Sequence, residues 1–89
     1  DAIADYTKSL RIDPDDPESY YNRGNAYNNL GNYEDAIADY TRAISIDPDD
    51  AKAYNNRGVS KWHLKLEYCS DFKRACNLGN CNNYNDFCK

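Results

Sequence analysis

The stretch Asp35–Asp50 reads DAIADYTRAISIDPDD, and the stretch Asp1–Asp16 reads DAIADYTKSLRIDPDD. The two copies lie 34 residues apart and agree at twelve of sixteen positions. A near-copy at a fixed offset of that size marks a stack of helical repeats, in which each unit borrows burial from its neighbours. Within each copy the apolar residues recur at helical spacing. Ile3, Tyr6 and Leu10 share one face of the first, and Ala36, Ile37, Tyr40, Ala43 and Ile44 share one face of the second. Pro14 and Pro48 stop the two helices, because the residue before a proline is pushed out of the helical region. The fold class read from this pattern is all-α.

The segments between and after the copies follow the same logic. Asp15 or Asp16 can cap the next helix, with Pro17 at its first position. The spacing predicts helices over Asp1–Ile12, Pro17–Leu30, Tyr33–Ile46 and Ala51–Leu64. Tyr20, Gly24, Tyr27 and Leu30 or Gly31 form the inner stripe of the second, and Tyr54, Gly58 and Leu64 repeat it in the fourth. A glycine inside a helix costs ~1 kcal/mol relative to alanine. Its recurrence at the same place points to close approach of a neighbouring helix. Gly31-Asn32 then breaks the helix, as glycine after a last turn does.

The segment Tyr20–Pro48 has the form Y-x-N-R-G-x-A-Y-x-x-L-G-x-Y-x-x-A-I-x-x-Y-x-x-A-I-x-I-D-P. It resembles the tetratricopeptide repeat (TPR) along its whole length, and the resemblance extends over roughly residues 1 to 78. It implies antiparallel helix pairs stacked as a right-handed superhelix, and a protein-interaction role. About two and a half units are expected, plus a short capping helix. Residues 1–16 would be the second helix of a partial repeat, 17–50 a full repeat, 51–80 a variant repeat and 81–89 the cap, all in one domain. Opening inside a repeat, the chain reads as part of a longer protein.

The third unit departs from the pattern. Phe72 and Ala75 match Tyr40 and Ala43 at an offset of 32, so the turn before this helix is expected to be two residues shorter. Leu78-Gly79-Asn80 replaces the Asp-Pro ending.

Composition narrows the function. A chain of 89 residues is one domain at most, and its formal charge of −4 argues against a nucleic-acid binder, which needs a basic face. No apolar run approaches the length of a membrane span. Nine tyrosines against two phenylalanines and one tryptophan suit thin helical layers, where side chains are half covered.

All four cysteines fall in the last 21 residues, spaced C-x6-C-x4-C-x6-C. Within each i, i+7 pair the sulfurs lie ~10 Å apart along a helix, too far to bond. A helical hairpin turning at Leu78–Asn80 would instead bring Cys76 to Cys81 and Cys69 to Cys88. Three readings stay open: a double disulfide staple, buried free thiols acting as small apolar residues, and a zinc site. The last lacks the close C-x2-4-C pairs that such sites use.

The remaining polar features divide into structural and binding roles. The Asp-Pro-Asp-Asp loops at Asp13–Asp16 and Asp47–Asp50 lack the glycine and distal glutamate of a calcium loop and read as stop-and-cap signals. His63 has no nucleophile or orienting acid placed to form a triad, so no catalytic residue, metal site or cofactor is expected. Arg23 and Arg57 recur in Asn-Arg-Gly and should pair with Asp5, Asp39 or Asp71.

In the family the first helix of each pair lines a concave groove. The stripe beside the core there is Glu18, Tyr21, Asn22, Asn25, Asn28 and Asn29, then Lys52, Asn55, Asn56, Val59, Trp62 and His63. Asparagine is a poor helix former, so its density needs another reason. Its amide can both donate to and accept from a peptide backbone. Tyr21, Asn22, Asn25, Asn28, Lys52, Asn55, Asn56 and Trp62 are therefore the candidate peptide-binding residues. Asn25 and Asn56 match the asparagines of a chaperone-tail clamp found in some members. Tyr21 stands where that clamp has lysine, so its ligand is not carried over.

The expected function is a non-enzymatic scaffold for a protein or peptide partner. The alternative is an assembly segment that forms a homo-oligomer through the bare face of its first helix, since an exposed apolar face invites a partner.

Overall fold

A computed structural model describes residues 1–88. It contains α1 (Ala2–Ile12), α2 (Pro17–Asn29), α3 (Tyr33–Ile46), α4 (Ala51–His63), α5 (Cys69–Asn77) and α6 (Asn82–Phe87), with no strand among the described residues. The expected cap over 81–89 is present as α6, apart from Lys89, which lies outside the described residues. Each helix packs on the next along the chain, giving an elongated stack of 41 × 25 × 15 Å. Among the described residues no helix is long and apolar enough to cross a membrane.

The Asp-rich loops act through their side chains. Asp13 Oδ1 accepts from the Asp15 amide, and Asp47 Oδ1 from the Asp49 amide, so the first aspartate of each loop forms a local turn. The last aspartate caps the following helix. Asp16 accepts from the Glu18 amide, and Asp50 from the Lys52 and Ala53 amides. These bonds satisfy amides that a helix start otherwise leaves without partners.

The core is a row of aromatic rings laid on glycines. Tyr40 of α3 is 0% exposed, and a Cβ built on Gly24 of α2 would lie 2.8 Å from its Cε1. Phe72 of α5 is 1% exposed, and a Cβ on Gly58 of α4 would lie 2.5 Å from its Cε1. The repeated helix-interior glycines are thus explained by ring-to-backbone contact. Ala36, Ala43, Ile44, Ala53 and Ala75 complete the buried layer.

Two arginines bind the layers together. Arg23 donates twice to Asp39 at 2.8 Å and once to Thr7 at 3.2 Å, so it joins α1, α2 and α3. Arg57 repeats the device one unit later, with Asp71 at 2.7 and 2.9 Å and Thr41 at 3.2 Å. Of the expected partners, Asp39 and Asp71 are used; Asp5 is exposed.

Two expectations are corrected. Leu30, placed on the inner stripe of α2, is 66% exposed. It follows the last helical residue, and the chain reverses at Gly31 (φ +79°), which swings its side chain toward Ala2, Ile3 and Ala26 at the open end. The turn before α5 is also not shortened. The Leu66 amide bonds the Lys61 carbonyl at 2.8 Å, as the Asn32 amide bonds the Tyr27 carbonyl at 2.9 Å. Lys65 takes the left-handed place of Gly31, with φ +59°. This reversal needs a fixed number of residues. The two missing residues are therefore taken from the first turn of α5, which begins only at Cys69, with Glu67 accepting from the Ser70 amide.

The four cysteines form two bonds, Cys69–Cys88 and Cys76–Cys81, with Cα–Cα distances of 5.7 and 3.9 Å. Both tie α6 to α5 across the Gly79 reversal. The free-thiol and zinc readings do not describe this arrangement.

Candidate functional site

Asn25 of α2 and Asn56 of α4 meet across the gap between the first helices of successive pairs. Asn56 Nδ2 donates to Asn25 Oδ1 and to the Tyr21 hydroxyl, each at 2.9 Å. Asn25 Oδ1 accepts a second bond from the Tyr40 hydroxyl of α3. Four side chains from three helices thus form one continuous network. Burial raises the pKa of the Tyr40 phenol well above the ordinary tyrosine value, so it remains a neutral donor.

The network spends only one end of each amide. Asn25 Nδ2 and Asn56 Oδ1 make no hydrogen bond among the described residues. One is a donor and the other an acceptor, the complement of a peptide unit. Because their other ends are already bonded, little side-chain freedom remains to be lost when a ligand arrives.

The other candidates divide. Asn28 Oδ1 accepts from the buried Ser60 hydroxyl at 2.9 Å, a third bond between α2 and α4. Tyr21, Asn22 and Lys52 line a cleft of ≈490 Å³ at the N-terminal ends of these two helices. Asn55 was expected in the groove but is only 6% exposed, and its Oδ1 has no hydrogen-bond partner among the described residues. It is correspondingly a poor choice for direct ligand contact. Trp62 joins neither set of bonds. It stays 46% exposed and packs near Phe87 of the cap, centroids 6.2 Å apart. His63 stacks on Tyr33 at 4.3 Å, which gives the lone histidine a packing role.

Sequence reasoning missed Tyr40 and Ser60 as members of this polar layer. Tyr40 reads as core, and its hydroxyl has no signal of its own. The comparison with the next unit supplies one: Phe72 replaces Tyr40, and Val59 replaces Asn25. The hydroxyl and its acceptor disappear together.

Comparison with known proteins agrees with this architecture. The tetratricopeptide repeat family model matches residues 17–50, which span α2 and α3, and a second TPR repeat model matches residues 1–31. Among solved structures, the first TPR of Spaghetti (RPAP3) bound to the HSP90 peptide SRMEEVD is 33% identical, with a TM-score of 0.87. The alignment covers 94% of this chain and 70% of that one. The Arabidopsis OM64 TPR domain is 30% identical, with a TM-score of 0.85, over 94% and 71% of the two chains. No curated protein sequence matches. The repeat matches and these two structural relatives together show that the chain belongs to the tetratricopeptide repeat family.

Proposed function

We propose that the chain is a non-enzymatic protein-interaction scaffold that holds an extended peptide against the α2–α4 face. The observation that carries this reading is the pair of unspent amide ends, Asn25 Nδ2 and Asn56 Oδ1, fixed by the network behind them. That one structural relative holds a peptide supports it. Tyr21 adds ring area beside the amides, and Lys52 adds a charge at one end of the path.

A peptide-library screen followed by side-chain amide NMR tests the reading. A selected peptide is expected to shift the Asn25 and Asn56 amide signals and to bind roughly tenfold more weakly to Asn56→Ala, the loss of about one good hydrogen bond. Shifts confined to Arg42 and Lys73, on the second helices, would contradict it.

A second reading is favoured by a different observation. Ala2, Ile3, Ala26 and Leu30 line an apolar cleft at the α1 end, where Leu30 is 66% exposed. Self-association through that face would make light-scattering mass rise with concentration, and Leu30→Asp would abolish the rise. A constant monomer mass rules it out.

A further inference from the structure

We infer that the peptide held on the α2–α4 face is basic, with a lysine or arginine side chain seated between Glu18 and Asp47. The inference rests on the groove reading above and names the ligand class of that same site.

The cleft that continues the amide network is lined by Glu18, Tyr21, Asn22, Asp47, Asp50 and Lys52. Tyr21 belongs to both, so the network and the cleft form one path. Three carboxylates face one ammonium there. The other cations of α2 and α4 are spent within the fold: Arg23 on Asp39, and Arg57 and Lys61 on Asp71. Among the described residues, Lys52 is the one cation of these helices with no carboxylate within salt-bridge distance.

Helix N-termini would ordinarily favour an anion here. Both are already closed. Asp16 caps α2 and Asp50 caps α4, so their amides and half-charges are answered from within the chain. Glu18 makes no ion pair among the described residues, and Asp47 accepts only a backbone amide. The unused acceptors therefore outnumber the donors. Asn56 Oδ1 adds one on the groove stripe. A donor-rich, positive segment complements this surface, and the net charge of −4 steers such a segment toward it. The peptide SRMEEVD in the RPAP3 structure has the opposite balance, three acidic side chains to one arginine.

The test uses three short fluorescent peptides, capped at both ends and alternating alanine with lysine, glutamine or glutamate. Anisotropy at low salt should show the lysine peptide binding roughly tenfold or more tightly than the glutamine one, the size of a charge-assisted contact. Glu18→Gln and Asp47→Asn should each weaken it roughly tenfold. Glu34→Gln, an equal charge change on α3, should leave it unaltered. If the glutamine or glutamate peptide binds as well, and Asn56→Ala still weakens it, the charge inference is overturned while the groove reading survives. If lysine-peptide binding ignores Asn56→Ala and falls equally in Glu34→Gln, the attraction is diffuse and both readings fail.

Discussion

The Tyr40 hydroxyl donates to Asn25 Oδ1 across the α2–α3 contact, and the next repeat replaces both partners at once, with Phe72 and Val59. Losing one partner of a buried pair strands the other, whereas losing both is nearly neutral. Tyr40→Phe should therefore cost about 1 kcal/mol in urea unfolding. Asn25→Val should cost less in the Tyr40→Phe background than alone, with a coupling of about 1 kcal/mol in the double-mutant cycle. Additive costs would show that the pair is not a unit.

The same burial predicts an alkaline effect. The folded pKa of Tyr40 lies above its unfolded value, because burial disfavours the phenolate. Its contribution to stability is complete below the unfolded tyrosine pKa of about 10 and is lost as pH rises through the folded value. Stability should fall above about pH 10. The fall should be shallower in Tyr40→Phe than in Tyr20→Phe, which removes a half-buried tyrosine.

Gly58→Ala should destabilise the domain although alanine is the better helix former. The new Cβ would sit 2.5 Å from Phe72 Cε1, and that ring is buried on all sides. Overpacking of this kind costs about 1–3 kcal/mol, more than the ~1 kcal/mol gained in helix propensity. Gly58→Ala combined with Phe72→Leu should recover part of the loss, as read from the denaturation midpoint.

Lys65→Gly should do the reverse. Lys65 holds φ +59° in the reversal that Gly31 makes in the preceding unit. A side chain there carries a left-handed penalty of about 1 kcal/mol or more, partly offset by the chain entropy glycine loses on folding. The expected net gain is about 0.5 kcal/mol, seen as a higher urea midpoint with unchanged slope. Gly31→Lys should show the opposite shift.

The two disulfides hold a helix too short to hold itself. α6 has six residues, and its Phe87 stays 51% exposed. Closing the 19-residue separation of Cys69–Cys88 stabilises by about 3 kcal/mol on loop-entropy grounds, and the 5-residue separation of Cys76–Cys81 by about 2 kcal/mol. Denatured, unreduced protein should titrate no thiol, and reduction should expose four. Reduction should also release α6, detected as faster amide exchange in Asn82–Phe87 and a shift in Trp62 fluorescence. Unchanged exchange in that segment would show that packing suffices.

The order of helices, their Asp-Pro boundaries, the close helix approach at Gly24 and Gly58, and the hairpin register that sets Cys69 opposite Cys88 and Cys76 opposite Cys81 were legible in the sequence. Each depends on local periodicity, or on a feature that the chain repeats or mirrors. That rings fill the glycine contacts and that the cysteines are bonded was not legible there. The tertiary structure alone decided what lay opposite each side chain. Leu30 and Asn55 fit their helical stripes, yet one faces the open end and the other is buried. Asn25 and Asn56 were visible as candidates, but that each spends one amide end on Tyr40 or Tyr21 depends on the distance between three helices. Helix periodicity fixes the direction of a residue around its own axis; which neighbour fills that direction is set by the packing of the whole stack.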